Sequence, residues 1–397
     1  MIKELTMVKN NYLNNWELKK WDDVLDIRSG RNQKAVLNPN GKYPIIGSAG
    51  KVMGYPDDYI CEEGTTIIGR KGTINSPLFI EHKFWNVDTA FGLHSKESLD
   101  NRFLHYFCLS FDFTELDKGS GRPSLVKSDL LKVQIPIPPL PQQKQIVAIL
   151  DKAFAVIDTA KANAEQNLQN AKELFESYLQ NVFENKGDDW EEKKIEDLSN
   201  EKKAIVSGPF GSNLKVADYR EEGVPMIRLQ NVGKGYFIDK SIKYVDPSKA
   251  EELKSHSFKT GDIVLAKLGI PIGKTCIIPE YFGSGIIVAD IVRIRPDKKT
   301  VNYKFVEYFL NTDLSVSQLN KNISGATRPR VNLSDVRNII IPIPEIKEQE
   351  KIVQKLNDLT TQTKKLEAIY TQKIADLEEM KKSVLQKAFS GNLNPLN

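Results

Sequence analysis

The sequence predicts a mixed α/β architecture of two similar globules, each followed by a long helix that pairs with the other as an antiparallel coiled coil with pseudo-two-fold symmetry. Three observations over its 397 residues carry this. The first is an internal repeat: Ser128–Leu150 returns as Ser334–Leu356, each position shifted by 206, with 10 of 23 positions identical. A repeat of this length means one structural plan written twice. The second is a heptad spacing of apolar or small residues after each repeated I-P-I-P string, which is the signature of a long helix that buries one narrow stripe. The third is the texture of the regions before the helices, where short β-rich runs alternate with Gly, Pro and Asn turns.

The elements follow in order. Trp16 opens a stretch, WELKKWDDVLD, that is echoed from Trp190 as WEEKKIEDLSN, here with a shift of only 174, so the second copy holds 32 more residues before its I-P-I-P string. Smaller echoes lie between: Ser29-Gly30 against Ser207-Gly208, Tyr43-Pro44-Ile45 against Val224-Pro225-Met226, and Arg102–Phe107 against Lys304–Phe309. Strands are predicted at Thr65–Ile68, Asp262–Leu265, Gly285–Val288 and Ile291–Ile294, and short helices at Asn101–Leu109 and Asn302–Asn311. The prolines of each I-P-I-P string cannot donate to a ladder or continue a helix, so each string is an extended stretch that closes its globule. Ile146, Leu150, Ile157 and Leu179 mark the stripe of the first long helix; Ile352, Leu356, Leu366 and Leu385 mark that of the second, with Thr363 as a polar interruption. Each helix should run about 45 residues, roughly 65 Å, and needs a partner to be stable, the obvious one being the other copy. The divisions expected are a first globule at 1–140, a central helix at 141–187, a second globule at 188–345 and a closing helix at 346–397.

Composition narrows the chemistry. Forty per cent hydrophobic and 27% charged residues describe a folded protein, and no apolar stretch approaches the length that crosses a bilayer, which with the charged start MIKELTMVKN leads to a cytoplasmic expectation. The three cysteines stand far apart and the four histidines lack metal spacing. Gly269–Thr275 departs from a phosphate-binding P-loop by one residue and is followed by Ile-Ile-Pro, so no ATP site is expected. No methyltransferase or dinucleotide motif occurs, and no catalytic constellation can be assembled. The net charge of +4 is too mild to mark a nucleic-acid binder as a whole. A binding surface must then be a local face of basic, glycine-flanked loops, where the backbone comes close and Arg or Lys supplies charge. The candidates are Arg31, Arg70, Lys71 and Arg122 in the first half, and Ser207, Ser212, Arg228, Asn231, Lys267, Lys274, Arg328 and Arg330 in the second. Among them Gly69–Thr73 and Gly269–Thr275 read as turns at matched positions, and Arg122-Pro123 matches Arg328-Pro329. An Arg in such a loop is equally able to tie the loop to its own domain.

Two variable globules, each closed by an I-P-I-P string and a long helix, with S-G-P-F-G-S from Ser207 and G-V-P-M-I-R-L-Q-N-V from Gly223, resemble the specificity subunit of a type I DNA restriction-modification system. The resemblance covers almost the whole chain. It implies a subunit that is not itself an enzyme, in which each globule reads one half of a bipartite double-stranded DNA target, the helices set the spacing, and two methyltransferase subunits dock, joined by restriction subunits. S-adenosylmethionine, ATP and Mg would bind those partners and not this chain. Since the two globules differ, the half-sites should differ. The rival reading is a coiled-coil scaffold whose globules hold proteins.

Overall fold

The computed structural model describes residues 15–390 apart from Phe210, Ser212, Asn322 and 324–328. The chain divides into two compact units, one made of the residues up to Glu165 together with those from Thr371, the other of Gln166–Tyr370. Each contains one globule and parts of both long helices.

In the first unit β1 (Glu17–Lys20) leads through α1 (Trp21–Val24) into β2 (Leu25–Ser29), then β3 (Ile45–Ile46), β4 (Thr65–Gly69), β5 (Leu78–Ile80), β6 (Trp85–Asn86) and β7 (Ala90–Ser95). After α2 (Asn101–Ser110) and α3 (Lys127–Leu130), β8 (Gln134–Ile137) enters the long helix α4 (Leu140–Glu184). The main sheet has the order β2-β7-β4-β5, antiparallel throughout, and β3 and β6 form a small parallel pair. The I-P-I-P strand β8 pairs only with β1, Pro136 opposite Leu18. A two-stranded ribbon leaves an open edge, where a residue without an N–H costs nothing. Asp100 caps α2 by accepting from the N–H groups of Arg102 and Phe103, and the helix buries Phe103, Leu104, Tyr106 and Phe107 in a core with Trp21, Phe91 and Phe113. Ile146, Leu150 and Phe154 of α4 join that core, as do Leu385 and Ala388 of the chain's last helix. The two helix segments run antiparallel, with Lys381 on Asp158 at 2.8 Å and Lys161 on Glu378.

The second unit repeats the plan with additions. Its elements are β9 (Glu191–Lys194), β10 (Ile205–Ser207), β11 (Val224–Ile227), β12 (Lys243–Val245), α5 (Pro247–Glu252), β13 (Ser257–Phe258), β14 (Ile263–Ala266), β15 (Thr275–Ile277), β16 (Gly285–Ile287), β17 (Ile291–Ile294), α6 (Tyr303–Leu310), α7 (Asp313–Asn320), α8 (Leu333–Arg337), β18 (Ile340–Ile343) and α9 (Ile346–Phe389). The main sheet, β10-β17-β14-β15, is again antiparallel, and β18 pairs with β9, Pro342 opposite Glu192. The parallel pair β11–β16 corresponds to β3–β6, but β12 and β13 extend it to four strands. Much of the second copy's extra length is therefore spent between β11 and β14. Leu179 and Phe183 of α4 and Val353 and Leu356 of α9 close its core.

Both long helices are present, of 45 and 44 residues. Among the marker residues Ile146, Leu150, Ile157, Leu179, Leu356 and Leu385 are buried and Ile352 is partly so. Leu366 is not: it is 37% exposed. After Leu356 the least exposed line of α9 runs through the partly buried Thr360 and Glu367 with Thr363 between them, and Thr363, read from sequence as an interruption, is 3% exposed. Threonine can sit there because its hydroxyl bonds back to the helix, Thr360 Oγ1 to the Leu356 carbonyl at 2.8 Å and Thr363 Oγ1 to that of Leu359 at 3.0 Å.

Candidate nucleic-acid interface

In each unit one end of the main sheet gathers chain from three places. In the first unit Gly30 N donates to the Ala90 carbonyl at 3.1 Å, and in the second Gly208 N donates to that of Ile291 at 2.9 Å. A Cβ on Gly30 would lie 1.8 Å from the Val87 carbonyl oxygen, and one on Gly208 2.0 Å from that of Val288. Only glycine allows this approach, which explains the Ser-Gly echo in the sequence. Against the same turn lies the residue that leaves the central strand: Arg70 N donates to Thr89 at 2.7 Å, and Lys267 N to Asp290 at 2.8 Å.

The segment after the central strand then pairs with the loop ahead of α3 or α8. Leu125 N donates to Arg70 and Gly72 N to Pro123, while Val331 N donates to Lys267 and Gly269 N to Pro329. Lys71 bridges Ser124 as Leu268 bridges Arg330, and Gly72 and Gly269 both have positive φ, +85° and +129°. The turns that correspond are thus Arg70-Lys71-Gly72 and Lys267-Leu268-Gly269. This corrects the sequence match of Gly69–Thr73 with Gly269–Thr275. Lys274 lies on the returning arm of the second unit's hairpin, its carbonyl accepting from Ala266 N at 2.9 Å.

The side chains at this end differ between the units. In the first, Arg31 is exposed, Arg70 lies over the Phe91 ring at 5.7 Å, and the Arg122 guanidinium packs on Gly72, where a Cβ would sit 2.8 Å from its Nη2. Two backbone N–H groups, those of Ser124 and Gly119, hold the Asp117 carboxyl below its usual range and shape the loop that carries Arg122. In the second, Lys267 Nζ donates to Ser207 Oγ at 2.6 Å, Ser207 Oγ donates to the Ala289 carbonyl at 3.2 Å, and Arg330 pairs with Asp290. Burial lowers the pKa of Lys267, partly offset by Asp290. The fold therefore assembles Arg31, Arg70, Lys71 and Arg122 at one sheet end, and Ser207, Lys267 and Arg330 at the matching end of the other unit.

Arg228 and Asn231 lie elsewhere, on the loop after β11. Arg228 Nη2 donates to the Ser241 carbonyl at 2.6 Å. Asn231 is buried; its amide donates to Ile238 and Lys240 and accepts from Arg228 N, so it holds this loop together and has no face to offer a ligand. Ser212 and Arg328 fall outside the described residues. Sequence reasoning also missed Gln143 and Gln349, two fully buried amides at the start of the long helices. Gln143 and Gln349 are one of the identities of the repeat, and an identical polar residue at the foot of an apolar stripe was the available signal. Among the described residues no three metal-ligating side chains cluster, and no helix is long and apolar enough to cross a membrane.

Comparisons with known proteins agree along the chain. The model of the type I restriction modification DNA specificity domain matches residues 14–170 and again 187–378. The MjaVIII type I restriction enzyme specificity subunit of Methanocaldococcus jannaschii is 24% identical, over 96% of this chain and 94% of that protein. The EcoBI specificity subunit of Escherichia coli is 22% identical, over 85% of this chain and 75% of that one. Among solved structures, a chain from a study of complex assembly and conformational transition in the type I R-M system superposes with a TM-score of 0.75 at 17% identity, covering 96% of this chain and 99% of that one. The HsdS subunit of Thermoanaerobacter tengcongensis gives 0.58 at 18%, covering 96% and 98%. A family model that fits twice, once over each copy of the repeat, and relatives that match nearly end to end place this chain in the type I restriction-modification DNA specificity family, whose members are the non-catalytic, DNA-recognising subunits of type I restriction enzymes.

Proposed function

We propose that each unit reads one half of a split double-stranded DNA target through the sheet end described above, that the long helices set the separation of the halves, and that two methyltransferase subunits dock on this chain and restriction subunits join them. S-adenosylmethionine, ATP and Mg then belong to those partners, and the complex works in the cytoplasm with the DNA. The observation that carries the reading is the recurrence of one backbone construction with different side chains, Arg70, Lys71 and Arg122 in one unit and Ser207, Lys267 and Arg330 in the other. A shared frame with changed side chains suits two readers of different sequences, and hence an asymmetric target. Arg122 and Arg330 stand on loops where a guanidinium can meet a phosphate or a guanine edge.

Co-expression with its methyltransferase subunit, followed by mapping of methylated bases on genomic DNA, tests this. A split, asymmetric motif methylated on both strands is expected. No motif from an assembled complex with active methyltransferase would overturn the reading and leave a protein-binding coiled-coil scaffold in its place.

A further inference from the structure

Each long helix is fastened to its globule by one buried glutamine. In the first turn of α4, Gln143 Oε1 accepts from Asp100 N at 2.7 Å, and Nε2 donates to the carbonyls of Ser98 at 3.1 Å and Pro138 at 2.8 Å. In α9, Gln349 Oε1 accepts from Asn302 N at 2.8 Å, and Nε2 donates to Thr300 at 3.3 Å and Pro344 at 2.8 Å. The amide thus ties three segments together: the long helix, the last proline of the I-P-I-P string, and the residues that cap the short helix α2 or α6. Asp100 and Asn302 are themselves the capping residues, so each cap is held through both its side chain and its own N–H.

Two turns further along, the short and long helices meet again. Asp151 accepts from Tyr106 Oη and, at 3.0 Å, from Arg102 Nη2; Asn357 accepts from Tyr308 Oη at 2.7 Å. In both copies the second point lies eight residues after the glutamine, about 12 Å along a helix axis. Between the points lie Ile146 and Leu150, or Ile352 and Leu356. Apolar packing between them is non-directional and permits small rotations; hydrogen bonds at both ends do not. Two fixed points on one line define an angle.

The geometry points to Gln143 with Tyr106–Asp151, and Gln349 with Tyr308–Asn357, as positioning residues that set the angle at which each DNA-reading globule leaves its helix, and so which spacer lengths between the half-sites are accepted. This rests on the DNA-reading assignment above. The lever is long enough to matter: a tilt of about 10° at a radius of roughly 20 Å displaces the reading face by about one base-pair step. The bases read within each half-site are untouched, since none of these side chains lies at the sheet end.

The test uses the full chain in complex with its methyltransferase subunit and a set of duplexes with unchanged half-sites and spacers shortened or lengthened by one or two base pairs. Gln349→Leu removes one fastening, and Tyr308→Phe removes a single hydroxyl from the other while keeping the ring. Both variants should keep the half-site bases and raise methylation of wrong-length relative to right-length targets by about tenfold, the double variant by more. Gln143→Leu and Tyr106→Phe should act in the same way. Spacer preference as sharp as that of the wild type in folded Tyr308→Phe and Tyr106→Phe complexes overturns the proposal, as does relaxed base choice inside a half-site. A wild-type complex with active methyltransferase that yields no split motif overturns the DNA-reading assignment and this proposal with it.

Discussion

Lys267 and Ser207 meet at the end of the second unit's sheet, the lysine Nζ donating to the serine hydroxyl at 2.6 Å. The contact draws together the residue that leaves the central strand and the residue that precedes the close-approach glycine. Lys267 is half-buried, and methionine keeps an unbranched apolar chain of similar length at that position. Lys267→Met should therefore fold normally. Its complex is expected to bind specific DNA more weakly, with the slope of log affinity against log salt reduced by about 1, the signature of one lost phosphate contact. Titrations at four salt concentrations measure this, and an unchanged slope would remove Lys267 from the interface.

Gly30→Ala and Gly208→Ala should each be destabilising by roughly 3 kcal/mol or more, because the new methyl would collide with a carbonyl oxygen that belongs to the rigid turn before β7 or β17. Gly121→Ala, which meets nothing within 4 Å, is the control and should leave the thermal midpoint nearly unchanged.

His105 supplies a pH dependence. It packs against the rings of Phe79 and Tyr106, and its Nδ1 has no hydrogen-bond partner among the described residues. Burial, assisted by Arg102 and Lys381 and opposed by Asp151, pushes its pKa down to about 4 from an ordinary 6.5. The unfolded chain then binds the proton more readily than the folded one. Stability from this residue is complete above about pH 6.5 and is lost as the pH falls toward 4, by about 3 kcal/mol in total. His105→Leu should flatten that part of the curve. Urea unfolding of both proteins between pH 4.5 and 7.5 provides the comparison, and parallel curves would refute the assignment.

Leu356 and Leu366 separate a buried seam from an apolar residue that happens to keep the heptad count. Leu356 is 0% exposed and Leu366 37%. Leu356→Ala should lower stability by about 3 kcal/mol and Leu366→Ala by less than about 0.5 kcal/mol. Chemical denaturation of the isolated chain distinguishes the two.

The helices, the principal strands and the doubled plan were legible in the sequence because each rests on periodicity or on repetition. Leu366 was misread because hydrophobicity alone does not show where a seam drifts on a helix, and Thr360 and Thr363 hide their polarity in bonds to their own backbone. The corresponding turns were misaligned because both contain glycine and a cation, and only the ladder to Pro123 and Pro329 reveals which residues stand opposite each other. Asn231 looked like a reader of bases because Asn has the right groups; whether they point outward is decided by backbone carbonyls brought in by the loop. The glutamines of the two fastenings showed in the sequence as an identity of the repeat, but which backbone groups their amides bind was not legible, for the same reason.

The division of the chain has a consequence for its synthesis. Residues 166–370 form a continuous unit and can complete their core as soon as they have emerged. The earlier unit cannot, because Leu385 and Ala388 belong to the core that contains Phe103, Phe107, Ile146 and Leu150, and Phe389 packs on both phenylalanine rings. The globule translated first is therefore the one finished last. In the interval the apolar face of the first globule that Leu385, Ala388 and Phe389 later cover stays bare.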